Sequence, residues 1–339
     1  MTSLSVSVET IFEPARLAVA EGRIPGVTLG LVTTTGERSV LTAGLAQREP
    51  ESIPLHRTHW FDLASLTKVI FTTDALIRLV EQGRVALDDP LSLHIPDLRQ
   101  YETGAAERRL TIRQCLSHQT HLPAVEPLYT LGQDPETLRA YILQRNWKSG
   151  PPVYSDINFI LLGILIERVT GTPLSAVDLS PGLTFRPDLA SSVATEFCAW
   201  RGRMIRGEVH DENAFALGGA AGHAGLFGTV DGVLDYAASL MGRQRFSALS
   251  MADLTTRSAG TRTLGWEIAH PGWHGGEGSS ARTIGHLGFT GTGLWIDMDR
   301  GVAWTLLTNR VHPSRHSESG IMALRRETGT RLAAAFKQD

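Results

Sequence analysis

The sequence predicts a mixed α+β protein in which both ends of the chain build one antiparallel sheet, flanked by helices, with a mainly helical lobe inserted between them. Three observations point there. Strand-like runs lie at residues 27–46 and again at 263–309. Helical patterns dominate the stretch from 85 to 210. A helical pattern also closes each end of the chain. Strands at both ends with helices between are the signature of a shared sheet. The expected organisation is a single domain, 1–339, with a discontinuous sheet lobe (1–84 and 215–339) and a helical lobe (85–214).

Taken in order, residues 7–22 read as a helix and Ile24-Pro25-Gly26 as a turn. Two β-branched runs around Thr35-Gly36 then form a hairpin. Apolar residues at helical spacing predict a helix over 65–82. Shorter helical patterns follow at 88–98, 111–119 and 135–146, then a strongly apolar one at 158–171. Segment 172–210, with Pro173, Pro181 and Pro187, reads as irregular. The glycine-rich "LGGAAGHAGLFG" opens into a helix with Thr229 as its N-cap. "TLGWEIA", "TIGHLGF", "GLWIDM" and "VAWTLLTN" are strand-like, with a hairpin turn at Met298-Asp299-Arg300-Gly301 between the last two. The helix of 320–336 ends the pattern.

Composition narrows the function classes. The 339 residues are 42% hydrophobic and 20% charged, with a net charge of −3. That is an ordinary globular balance without a basic patch, which argues against nucleic acid and membrane as partners. No stretch approaches the apolar length of a membrane span. The N-terminus lacks the cationic and apolar regions of a signal peptide, so a cytoplasmic location is expected. Cys115 and Cys198 read as free buried thiols. His118 with His121, and His312 with His316, have helical spacing, but no His-Glu-x-x-His accompanies them, so no metal or other cofactor is expected. Gly-x-Ser-x-Gly, the P-loop and G-x-G-x-x-G are absent.

One lysine stands out. Of 32 Lys and Arg residues only Lys68, Lys148 and Lys337 are lysines. On a wheel of about 100° per residue, Leu66, Val69, Ile70, Thr73, Leu76, Ile77 and Val80 form the core stripe, and Asp74, Arg78 and Glu81 the solvated face. Ser65 and Lys68 lie on neither, one turn apart on a face without other charge. Desolvation there lowers a lysine's pKa, and a neutral amine can take a proton from a hydroxyl, as arginine cannot. Ser65 sits near the helix start, where free N–H groups favour developing negative charge. Ser-x-x-Lys is thus a workable activated nucleophile, though so short a motif also arises by chance. Tyr154 precedes an apolar helix and could share a proton with Lys68, or be an ordinary interfacial tyrosine. The glycines of 283–293 let a backbone or a substrate come close, or simply pack against a helix.

Together, Ser65-Leu66-Thr67-Lys68, Tyr154-Ser155-Asp156 and His286-Leu287-Gly288 resemble the three ordered motifs of the serine β-lactamase and penicillin-binding-protein superfamily. The branch most like this chain is that of class C β-lactamase-like serine hydrolases and esterases, with similar segments from about residue 15 to the C-terminus. The resemblance implies a β-lactamase-like fold and a nucleophilic Ser65 that becomes acylated. It also implies Lys68 and Tyr154 as the proton-transfer pair, and an oxyanion hole from the N–H groups of Ser65 and Phe289. Asp156 stands where the family has Asn, and a carboxylate there would raise the pKa of Lys68 or hold a cationic substrate group. His286 and Leu287 replace Lys and Thr, removing groups that would hold a substrate carboxylate. The expectation is a serine hydrolase acting on a small-molecule ester or amide, most of all an esterase with weak β-lactamase activity. The alternatives are a β-lactamase or D-alanyl-D-alanine carboxypeptidase, and a non-catalytic binding protein on the same fold. The expected assembly is a monomer or weak dimer.

Overall fold

The structure is a computed structural model and describes residues 4–132, 134–242 and 245–336. Its main sheet has seven strands: β1 Gly26–Thr33, β2 Arg38–Gln47, β3 Ile53–Pro54, β4 Glu267–Ile268, β5 Thr283–Leu287, β6 Gly293–Asp297 and β7 Val302–Thr308. In space they run β3-β2-β1-β7-β6-β5-β4, each pairing antiparallel. The two ends of the chain meet at β1 and β7, paired from Val27 opposite Thr308 to Thr33 opposite Val302. The shared antiparallel sheet expected from the sequence is therefore present.

The helices that bear on the sheet and the site are α1 Leu4–Ala20, α2 Asp74–Glu81, α3 Asp156–Thr170, α4 Val230–Met241 and α5 Ile321–Ala335. The sheet is covered on both faces, which explains why its strands read as nearly continuous apolar runs. Leu29, Leu31, Trp295, Trp304 and Leu306 form one core with buried residues of α1 and α5. Ile284, Leu294, Ile296, Ala303 and Leu307 face the other way, into the larger core shared with α3 and α4. Trp295 and Trp304 stack across the β6–β7 ladder with centroids 5.4 Å apart, a cross-strand contact worth ~0.5–1.5 kcal/mol beyond area burial.

Several elements differ from the sequence reading. The first helix starts at Leu4, ahead of the expected residue 7, and ends at Ala20. The expected helix over 65–82 is three pieces: a 3₁₀ turn Ala64–Leu66, a π-helical turn Lys68–Thr73 and then α2. Asp74 is not on a solvated face but buried, because Arg245 and Arg78 both bind its carboxylate. Only Glu267–Ile268 of "TLGWEIA" joins the sheet, since Gly265 turns the chain just before it at φ +79°. Segment 172–210 is not irregular throughout. It carries the hairpin Ala194–Cys198/Arg203–Arg206, turned by Gly202 at φ +66°. Its Leu183–Thr184 joins Phe227–Gly228 and Phe61–Asp62 in a small sheet that ties the inserted segment to the chain just before Ser65. Both cysteines are free and buried. No described helix is long and apolar enough to cross a membrane.

Candidate active site

Ser65 is presented by a held turn. Ala64, just before it, has φ +48°, a region that residues with a Cβ enter at a cost. The buried Asp62 carboxylate holds it there, accepting the Ala64 N–H at 2.7 Å and the His210 N–H at 2.6 Å. Burial pushes this carboxyl's pKa up, against the opposing pull of those two donors. From the sheet side, Thr290 Oγ1 donates to Asp62 O at 2.7 Å and Thr292 Oγ1 to Leu63 O at 3.1 Å. Gly288 permits that approach: a Cβ on it would lie 2.6 Å from Leu63 O.

Lys68 opens the π turn and is fully buried. The Thr73 hydroxyl donates to the Lys68 carbonyl five residues earlier, at 2.7 Å. The Lys68 ammonium donates to Ser65 Oγ at 3.0 Å and to His223 O at 3.0 Å. Asp156 Oδ1 stands 2.7 Å away as an ion pair. Burial by itself would depress the ammonium's pKa, but the Asp156 carboxylate and then Tyr154 outweigh it, and the net shift is upward. Desolvation therefore does not leave Lys68 a neutral amine, because α3 brings a counter-charge to it. Asp156 occupies the first position of α3, behind the N-cap Ser155.

Tyr154 lies beside this pair, with its ring centroid 5.1 Å from Lys68 Nζ. The buried His118 packs on the Tyr154 ring at 4.5 Å, and its Nδ1 accepts the Ser155 N–H at 3.0 Å. Burial, and then the cations Arg262 and Lys68, hold His118 well below the usual histidine range. His286 is likewise buried and held neutral, its Nδ1 donating to Leu287 O at 2.9 Å. The Arg262 guanidinium lies 5.3 Å from the Tyr154 ring. Behind it Glu267 binds His270 at 2.7 Å and Arg262 at 3.3 Å.

Two hollows meet at Ser65, Tyr154 and Phe289, which line both. One, of about 510 Å³, is walled by His286, Gly288 and the arginines 262, 310 and 325. The other, of about 630 Å³, is walled by Asp156, Asp211, Glu212 and Arg315. All seven residues singled out from the sequence, Ser65, Lys68, Tyr154, Asp156, His286, Gly288 and Phe289, are thus gathered around one cleft. Of the histidines at helical spacing, His118 packs beside Tyr154 with its Nδ1 committed to a backbone N–H, and His312 Nε2 accepts the Arg48 N–H at 2.8 Å. Among the described residues no group of three or more His, Cys, Asp or Glu is arranged to hold a metal ion.

In the sequence, "HDEN" at 210–213 reads as ordering a loop near the site and the glycines of 218–228 as letting that loop approach the pocket; the structure supplies the contacts. Asp211 caps the helix Glu212–Ala216 and pairs with His223 at 2.9 Å, the residue whose carbonyl receives Lys68. Gly222 makes that contact possible, since a Cβ there would lie 2.0 Å from Phe159 O on α3. Arg262, Glu267 and Arg325 left no local signal, as each is an ordinary charge in its own segment.

Comparisons with known proteins bear on the family and the fold. A family model described as Beta-lactamase matches residues 15–327. The chain is 31% identical over 304 residues to the N-acetylmuramyl-L-alanine amidase of Bacillus subtilis strain 168, covering 74% of this chain and 68% of the relative. A class C beta lactamase superposes with a TM-score of 0.73 at 17% identity, over 96% of this chain and 97% of the other. EstCE1, described as a hydrolase with promiscuous acyltransferase activity, gives 0.70 at 22% identity, over 94% and 98%. These two likenesses establish the fold.

Proposed function

The chain belongs to the Beta-lactamase family of serine hydrolases, and from that premise we propose that it is an esterase working through an acyl-enzyme on Ser65, with weak β-lactamase activity alongside. The observation that carries the reading is the fully buried Lys68 ammonium 3.0 Å from Ser65 Oγ, where the two hollows join.

In this reading Ser65 Oγ attacks the ester carbonyl carbon, and its proton passes to the Lys68–Tyr154 pair. The carbonyl's π electrons move onto oxygen, which the N–H groups of Ser65 and Phe289 receive. Each such donor is typically worth ~3–4 kcal/mol of barrier. Collapse breaks the bond to the leaving oxygen, which departs as the alcohol with the proton the pair held. Water then attacks the acyl-enzyme by the same route, releasing the acid and restoring Ser65. Because Lys68 and Tyr154 interact closely, the competent state belongs to the pair and is the one that has lost a proton.

The neutral His286 favours uncharged esters, since it leaves no fixed cation at that strand position. A second reading, a β-lactamase or D-alanyl-D-alanine carboxypeptidase, is favoured by the three arginines walling the smaller hollow, which could hold a carboxylate. Initial-rate hydrolysis of p-nitrophenyl acetate and butyrate by the wild type and by Ser65→Ala tests the leading reading. It expects turnover that vanishes in the variant. Absent turnover, or turnover that Ser65→Ala retains, would overturn it.

A further inference from the structure

Arg325 is a buried charged side chain at the cleft that the mechanism above does not use. It projects from the first turns of α5 and is 4% exposed, yet it contributes to the wall of the cleft that holds Ser65. Among the described residues no carboxylate lies within ion-pair distance of it, and its Nε has no hydrogen-bond partner. A guanidinium buried this way is costly unless its surroundings use it. Burial, with Arg310 nearby, brings its pKa down to about 9, so it remains a cation at neutral pH.

What Arg325 touches is specific. Its Nη2 donates to Gly288 O at 2.9 Å and to Thr292 O at 2.7 Å. These carbonyls bracket the turn that leaves β5, closed by Gly288 N–H to Thr292 O at 2.8 Å. Arg310 Nε donates to the next carbonyl, Phe289 O, at 3.0 Å. On the other side, Thr290 and Thr292 tie the same turn to the carbonyls of Asp62 and Leu63, just ahead of Ser65. The Gly288–Phe289 peptide is trans. Its N–H therefore points opposite to the carbonyl that Arg325 holds. A cation on that carbonyl also withdraws electrons from the amide and makes the N–H a stronger donor.

We propose that Arg325 is a positioning residue of the oxyanion hole: its buried guanidinium orients and polarises the Gly288–Phe289 peptide so that the Phe289 N–H serves the oxygen of a Ser65 adduct. This rests on the reading of Ser65 as the acylated nucleophile. A donor fixed in advance stabilises charge that develops only in the transition state, so its loss falls on kcat rather than on substrate binding.

The test compares wild type, Arg325→Met and Arg325→Lys on p-nitrophenyl butyrate, with affinity for phenylboronic acid, a tetrahedral adduct former, measured in parallel. Thermal melts identify any variant that does not fold. Arg325→Met should lower kcat about 10²-fold with KM nearly unchanged, the range for one oxyanion donor. Boronate affinity should fall in parallel with kcat/KM. Arg325→Lys keeps a buried cation on a side chain of similar length, so it should fold and recover part of both losses. It also decides the matter if the methionine variant does not fold. Wild-type kcat in a folded Arg325→Lys or Arg325→Met would overturn the inference, as would a loss that appears in KM while boronate affinity is unchanged. Failure of the underlying reading looks different: the wild type itself would then show no turnover that Ser65→Ala abolishes.

Discussion

Asp156 Oδ1 lies 2.7 Å from Lys68 Nζ, closer than the 3.0 Å separating the same ammonium from Ser65 Oγ. The lysine that faces the nucleophile is therefore charge-paired before any substrate arrives, and its pKa is raised. If the Lys68–Tyr154 pair must lose a proton to act, kcat/KM should climb with pH toward the alkaline side. Replacing Asp156 by Asn removes the charge that holds the proton on Lys68. The rising limb of the kcat/KM profile should then move to lower pH by about 1–3 units, the range produced by one adjacent opposite charge. A pH series on p-nitrophenyl acetate reads this directly. An unmoved limb would show that the pair's proton is not the one being titrated.

Lys68→Arg keeps a cation beside Asp156 but offers no group that can lose its proton near neutral pH. Activity should fall by about 10²–10⁴-fold, the usual contribution of a positioned base, while circular dichroism stays native. Near-normal turnover in the variant would remove Lys68 from the proton transfer.

The acid limb of stability has a separate origin. Burial pushes Glu267 upward, but His274, Arg262 and His270 outweigh it and hold its carboxyl at about 2, against an ordinary 4.5. A carboxylate depressed on folding contributes stability above its unfolded pKa, and that contribution is lost as pH falls toward 2. Glu267→Gln should therefore lower Tm by a few degrees at pH 7, with the gap to wild type closing below pH 4.5. Melting curves from pH 7 down to pH 3 test it, and a gap that stays constant across the series would contradict the assignment.

Gly222 and Gly104 make a matched pair. A Cβ on Gly222 would lie 2.0 Å from Phe159 O, in the loop that carries His223 O to Lys68, whereas a Cβ on Gly104 meets nothing within 4 Å. Gly222→Ala should destabilise by about 2 kcal/mol or more and lower kcat, and Gly104→Ala should do neither. Urea unfolding with parallel rate measurements separates the two. Equal behaviour would mean that the close contact of this loop with α3 does not position the lysine.

Much of this was legible because both faces of the sheet are buried. Continuous apolar strands at 27–33 and 302–308 and an uncharged helical face around Lys68 are local patterns. The pairing of β1 with β7 follows from strands at the two ends. Position around Lys68 was less legible. A wheel of constant pitch cannot describe a chain that passes from a 3₁₀ turn through a π turn into α2, and so it placed Asp74 in solvent. The partners arriving from a distance were beyond local reading: Arg245 on Asp74, His223 O on Lys68, and Arg325 on Gly288 O. Asp156 was visible as a departure from its motif, and its consequence for Lys68 followed from charge alone. That it prevails over desolvation was fixed only by the 2.7 Å approach.

The central claim is that Ser65 carries the acyl group, and the most direct measurement is the mass of the protein itself. Wild type mixed with p-nitrophenyl butyrate and acid-quenched within the first turnover should show one added butyryl group. Digestion should place that group on the peptide containing Ser65, and Ser65→Ala should show none. An adduct on another residue, or ester turnover with no adduct at any quench time while nitrophenol is still released in a burst, would contradict the account.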